Sequence, residues 1–169
     1  MAKVFEPKAP APSQRLAALH AAKGAGLHVY AARAPTYPEC DEADLRATLQ
    51  AVAELEPITI FHEPINIRAE NVARIQAQAE SLGVRLKTEV FDTRERWQEY
   101  ALNALQTVER LAKEPGVAGQ LHLWLDESLG RESSVNRWAA RGSFRTPHSE
   151  LRVRKWLQRW WDRVIAWPK

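Results

Sequence analysis

The chain has 169 residues, with 24 Lys+Arg against 21 Asp+Glu, one Cys, seven Gly, ten Pro and seven Trp. That length suits one domain with a buried core but is short for a closed (β/α)8 barrel, and a lone cysteine excludes a disulfide framework and any multi-cysteine zinc or iron–sulfur site supplied by this chain alone. No apolar run approaches the ~20 residues of a membrane span and Met1–Pro12 lacks the apolar core of a signal peptide, so the expectation is a reduced, cytoplasmic, globular protein without a membrane partner.

Four helical patterns alternate with four short apolar runs. Ser13 is a good N-cap for a first helix that Gly24 and Gly26 stop, and Leu27–Ala32 (LHVYAA) then reads as a strand. A second helix over about 42–54 is closed by Pro57, ahead of the strand Ile58–Glu63. A third over about 69–82 is capped by Gly83, ahead of Val84–Phe91 (VRLKTEVF). A fourth over about 93–113 runs into Pro115, Gly116 and Gly119, and Gln120–Leu125 follows as the last strand. Crossovers of this length demand parallel strands, so the fold class is α/β with about four parallel strands. Residues 131–147 read as a linker, and 148–169 as a closing amphipathic helix in which Val153, Trp156, Leu157, Trp160, Trp161 and Val164 form a docking stripe.

Charge is unevenly placed. Residues 1–130 hold 14 Lys+Arg and 18 Asp+Glu, whereas residues 131–169 hold 10 against 3. The basic face of the closing helix (Arg152, Arg154, Lys155, Arg159, Arg163) reads either as a solvated helix face or, with Trp interleaved, as a surface that could stack bases and contact phosphates.

Alternation along the strands points to a cavity. One side of 84–91 carries Val84, Leu86 and Val90 and the other Arg85, Lys87 and Glu89, while 120–125 opposes Leu121, Leu123 and Leu125 to Gln120, His122 and Trp124. Strands covered by helices on both faces read almost wholly apolar, so these resemble the wall of an open barrel with polar groups turned inward. The pocket-lining candidates are therefore Tyr30, Glu63, Lys87, Glu89, His122 and Trp124, with Asn66 and Asp126 at strand ends. His62 and Glu63 are adjacent and must face opposite ways, so acid–base work falls to Glu63 unless it bridges Arg85 or Lys87. A metal held by His62, His122 and a carboxylate lacks any tight ligand spacing. Cys40 could donate a hydrogen atom, but its neighbours Glu39 and Asp41 disfavour a thiolate.

An ordered set of segments resembles one family. FEPKAPAPSQRLAALHAAKGAGLHVYAARAPTYPECDEADL (5–45), with Glu6, Pro7, Ala9, Pro10, Arg15 and Leu16 opening a helix and Ala34, Pro35, Pro38 and Asp41 closing a strand, resembles radical S-adenosylmethionine (SAM) proteins of the spore-photoproduct-lyase-like group. ITIFHEPINIRAENVARI (58–75), LHLWLDESLG (121–130) and WLQRWWDRVIAWP (156–168) resemble later parts of the same proteins. The resemblance implies the C-terminal part, residues 1–130, of a partial TIM-type barrel, with Ala32, Arg33, Ala34 and Pro35 giving backbone beside the SAM adenine. Family members carry an upstream C-x-x-x-C-x-x-C loop that holds a [4Fe–4S] cluster, and this chain has none. The implied protein is therefore a truncated or split radical SAM enzyme, inactive alone, whose partner is the missing N-terminal barrel half or a second copy paired along the exposed edge of the first strand. Possible action on nucleic acid belongs to the same resemblance. The alternative is a cluster-free α/β binding module using the basic Trp/Arg helix to engage nucleic acid or a partner protein.

Overall fold

A computed structural model describes residues 2–66, 69–126, 129, 154–160 and 162. The chain divides into two units, Met1–His122 and Leu123–Lys169.

The first unit is mixed α/β. A four-residue helix α1 (Ala2–Phe5), which the sequence did not announce, is followed by α2 (Pro12–Gly24). α2 starts one residue before the expected Ser13 cap, because Pro12 takes the first turn, where its missing N–H is no loss. The Gln14 side chain accepts the Ala11 N–H at 2.9 Å in place of a serine cap. The helix stops at Gly26, whose φ of +79° suits glycine. None of its residues is buried.

Strand β1 (Tyr30–Thr36) leads to α3 (Glu42–Ala53), capped by the Asp41 carboxylate accepting the Asp44 N–H at 2.9 Å. Leu45, Leu49 and Val52 form its buried stripe. β2 (Thr59–Pro64) and α4 (Ala69–Ser81) follow, and α4 ends at Gly83, beyond which the Val84 N–H turns back to Ala79 O at 2.9 Å. α5 (Arg94–Leu111) is capped by Thr93 and packs against β2 and α3 through Trp97, Ala101, Leu105 and Val108. β3 (Leu121–Leu123) closes the series.

Among the described residues the sheet has three strands in the order β1-β2-β3, so the expected four is corrected to three there. Residues 84–91 are not a strand: 84–87 have no regular structure and Thr88–Phe91 form a 3-10 turn. A strand there would have stood between β2 and β3, with Arg85, Lys87 and Glu89 removed from water, and desolvating three charges without partners costs several kcal/mol each. Instead all three are exposed, and β2 meets β3 directly, the Ile60 N–H donating to Gln120 O at 2.9 Å.

β1 and β2 are parallel, pairing Tyr30 with Thr59, Ala31 with Ile60, Ala32 with Phe61 and Arg33 with His62. The next pair is Thr36 with Pro64, so Ala34 and Pro35 together oppose Glu63 in a bulge. Alternation holds only in part: Ala31, Ile60 and His62 are buried, Tyr30 and Ala32 exposed and Phe61 and Glu63 half-buried, but Thr59 on the side of Phe61 and Glu63 is buried as well, and β3 is buried throughout. β1 is the sheet edge, where a proline does no harm to the ladder.

In the second unit, residues 154–160 are helical. Leu157 and Trp160 of the expected stripe are buried and Trp156 half-buried, with the Trp156 and Trp160 ring centroids 6.4 Å apart. Arg159 places its guanidinium 5.9 Å from the Trp160 centroid. The expected linker 131–147 and the positions Val153, Trp161 and Val164 lie outside the described residues, as do Arg152 and Arg163. Among the described residues no helix is long and apolar enough to cross a membrane.

Candidate functional site

Two features meet at the C-terminal end of β1. The first is an open cleft of about 560 Å³ between α2 and α3, floored by β1. Its walls are largely aliphatic, from Leu16 and Leu19 on α2 and Ala47, Ala51 and Val52 on α3. Leu16 and Leu19 are half-buried on this wall. At one rim Phe5 stacks on Tyr37, with ring centroids 3.6 Å apart and planes 12° from parallel. Burial first, then the nearby Glu6 carboxylate, pushes the Tyr37 phenol up to about 12, so it stays protonated as a donor at neutral pH.

The second is a cluster tied together by Arg33. The bulge at Ala34 and Pro35 lets the chain turn so that the Thr36 hydroxyl comes back toward Arg33. Arg33 Nη1 donates to Thr36 Oγ1 at 3.0 Å and lies 3.4 Å from His62 Nδ1, and Nη2 donates to Cys40 Sγ at 3.0 Å. Thr36 Oγ1 also lies 3.3 Å from His62 Nδ1. Tyr100 on α5 donates its hydroxyl to Thr36 O at 2.7 Å, fixing the strand end from the helix side.

Burial decides the protonation states here. His62 is fully buried, and this, with the Arg33 charge added, holds its imidazole down to about 3, so it is neutral at pH 7. Its Nε2 is buried without a hydrogen-bond partner among the described residues. Burial likewise raises the Cys40 thiol, with Arg33 pulling the other way and Asp44 and Asp41 adding to the rise. The expectation of a disfavoured thiolate thus agrees in direction, though desolvation outweighs the acidic neighbours. Tyr100 is raised as well, chiefly by burial.

The structure brings some of the expected residues together and separates others. Ala32, Arg33, Ala34 and Pro35 all line the cleft. Tyr30, Glu63, Asn66, Lys87, Glu89 and His122 do not. Tyr30 is exposed at the start of β1, Glu63 is half-buried on β2, and Asn66 is half-buried just past its end. Lys87 and Glu89 sit off the sheet and exposed, the Lys87 N–H donating to Glu39 Oε1 at 2.7 Å. His122 is buried on β3, edge-on to Phe61 at 5.5 Å. Trp124, exposed, and Asp126, half-buried, belong to the second unit. Among the described residues no group of three or more His, Cys, Asp or Glu side chains is placed to hold a metal.

The reading of the sequence missed the Arg33–Thr36–Cys40–His62 cluster as a unit. A signal was present: Arg33 is the one charged residue in Ala31–Thr36, an otherwise small and uncharged strand. No family model matches the chain, and neither a curated protein nor a solved structure matches it.

Proposed function

We propose that this chain is the C-terminal part of a barrel of the radical SAM type and that the cleft over β1 takes the adenosyl part of SAM. The observation that carries this reading is the coincidence of Ala32–Pro35, the stretch whose counterpart adjoins adenine in the resembled family, with the floor of an open, aliphatic-walled cleft. A nucleobase is a flat, largely apolar body with polar edges, and such a cleft can cover its faces while strand and rim groups meet the edges. Leu16 and Leu19 would sit against one side of the base and Ala47 and Ala51 against the other. The Tyr37 phenol and the Ser13 and Thr48 hydroxyls, all on the lining, would supply polar contacts.

The iron–sulfur cluster is another matter. A cubane cluster of this class takes three thiolates, and the chain has one cysteine, held by Arg33. These residues do not fit the cluster. The role that remains for this chain is binding and orientation of the nucleoside, with the cofactor's chemistry dependent on a second polypeptide segment.

Equilibrium dialysis of the full chain against labelled SAM and adenosine tests the reading. Saturable binding is expected, and it should be lost in Ala51→Trp, which fills the cleft from the α3 side. Absence of binding at millimolar ligand, or binding untouched by that substitution, would refute it.

A further inference from the structure

The charge on the cleft wall is not balanced. Among the cleft-lining residues, the charged ones are Glu6, Arg15 and Arg33. Glu6 and Arg15 neutralise each other, Arg15 Nη1 lying 2.6 Å from Glu6 Oε2. Arg33 is half-buried, and no carboxylate lies within ion-pair distance of it among the described residues. Its contacts are all with uncharged acceptors: a hydroxyl, an imidazole that is neutral, and a thiol.

That arrangement is costly unless something completes it. Partial burial strips water from a guanidinium, and neutral acceptors return less than a carboxylate or phosphate would. A guanidinium has five N–H donors in a fixed plane. Nη1 is committed to Thr36 and His62 and Nη2 has one contact, with Cys40, which leaves Nε and one Nη2 hydrogen unused among the described residues. Three neighbours on β1, β2 and the loop into α3 fix the plane of the group, so it is pre-organised and not free to swing to solvent.

We infer that Arg33 is the anion-recognition group of the cleft: it takes an oxyanion, carboxylate or phosphate, borne by a ligand whose apolar body lies between α2 and α3. The inference rests on the cleft being the ligand site proposed above and adds the chemical class that it selects. Thr36, Cys40 and His62 act as positioning residues that hold the guanidinium; they do not themselves meet the anion.

The chain carries its own reporter. Cys40 is the single cysteine, and its sulfur is 3.0 Å from Arg33 Nη2, so neutralising the guanidinium disfavours the thiolate and slows alkylation. The experiment measures the rate of Cys40 alkylation by iodoacetamide in the full chain, at fixed pH and ionic strength, against sodium phosphate, sodium acetate or sodium chloride. A saturable slowing of about threefold or more by phosphate or acetate but not by chloride is expected, equivalent to about half a pKa unit. Slowing by phosphate alone assigns a phosphate-bearing ligand, and slowing by acetate as well assigns a carboxylate-tolerant site. Equal rates in all three salts overturn the inference.

Arg33→Met should alkylate more slowly from the outset and lose the phosphate dependence; a retained dependence would equally overturn the inference. If that variant does not fold, by far-UV circular dichroism, the three-salt comparison on the natural chain decides the matter alone. Dialysis against adenosine, which bears no anion, separates this inference from the reading beneath it. Adenosine binding with no phosphate effect overturns the anion site and keeps the cleft, while a phosphate effect without adenosine binding does the reverse.

Discussion

Acidification should destabilise this protein well above the range in which carboxylates titrate, and His62 is the reason. In the unfolded chain its imidazole takes a proton near pH 6.5, whereas in the fold burial and the Arg33 charge hold it down to about 3. Between those values the unfolded state binds a proton that the folded state refuses, so stability rises with pH from about 3 to about 6.5 and is flat above. The slope is about 1.4 kcal/mol per pH unit at most, so the contribution lost on going from pH 7.5 to pH 4.5 is roughly 2–3 kcal/mol. Urea unfolding followed by Trp fluorescence at pH 7.5, 6.0, 5.0 and 4.5 measures it. The comparison is with His62→Gln, which keeps a polar side chain facing Arg33 and Thr36 but cannot titrate. The wild-type stability should fall relative to the variant by about one proton's worth of slope below pH 6.5. Glu42, Glu56 and Glu114, whose carboxyls are held low by their hydrogen-bonded Arg or Lys partners, lose their contributions at lower pH and cancel in the difference. Parallel pH profiles for the two proteins between 7.5 and 5.0 would refute the reasoning.

Other substitutions test the scaffold. Tyr100→Phe removes the hydroxyl that donates to Thr36 O at 2.7 Å and should cost about 1 kcal/mol in urea unfolding, since Thr36 O keeps the Ile65 N–H at 2.8 Å. Trp97→Phe removes the indole N–H donor to Ile65 O at 2.6 Å in the core, and a loss of about 1–3 kcal/mol is expected by the same measurement. Leu105→Ala, at a position with no exposure on α5, should cost about 2–5 kcal/mol; a change below 1 kcal/mol would contradict the packing described. Glu42→Gln breaks the exposed contacts with Arg46 at 2.8 Å and Arg110 at 2.6 Å, and the urea midpoint should not move measurably.

What the sequence disclosed follows from which physical signals act locally. Helices could be placed because their stops are local: Pro57, just beyond the end of α3, and the glycines at 26 and 83 each act within about a turn. β2 was legible because its apolar run is bounded by turn residues. Residues 84–91 carry as clean an alternation as any strand, and the error there was to treat periodicity as sufficient. Period two says which side chains share a face, but whether the charged face can be wetted depends on where the strand would stand in the sheet. Between β2 and β3 it could not be wetted, and the chain chose a loop and a 3-10 turn. The site shows the same limit. Ala32–Pro35 could be singled out as a stretch, but contacts of Arg33 with His62, 29 positions away, depend on the β1–β2 register and are not written in either segment alone.

The bulge in β1 ties the cleft and the arginine cluster to one cause. A regular strand would have paired Pro35 with Pro64 and carried Thr36 one position past the end of β2; the extra residue instead restores Thr36 to the partner of Pro64. Thr36 can then receive the Ile65 N–H and the Tyr100 hydroxyl on its carbonyl while offering its own hydroxyl to Arg33. The same irregularity leaves Ala34 and Pro35 exposed on the cleft floor, where regular pairing would have continued the ladder. Deleting Ala34 therefore tests the bulge itself, which substituting it does not. Ala34→Ser should leave both Cys40 alkylation and the urea midpoint near their natural values, because the position is exposed and the register survives. A one-residue deletion at 34 removes the bulge and leaves Pro35 opposite Glu63 and Thr36 still opposite Pro64, so the contacts of Thr36 with Tyr100 and Ile65 should survive and the midpoint should fall no further than in Tyr100→Phe. A midpoint lowered well beyond the effect of Tyr100→Phe would refute this account, because Thr36 would then depend on more than its register with Pro64.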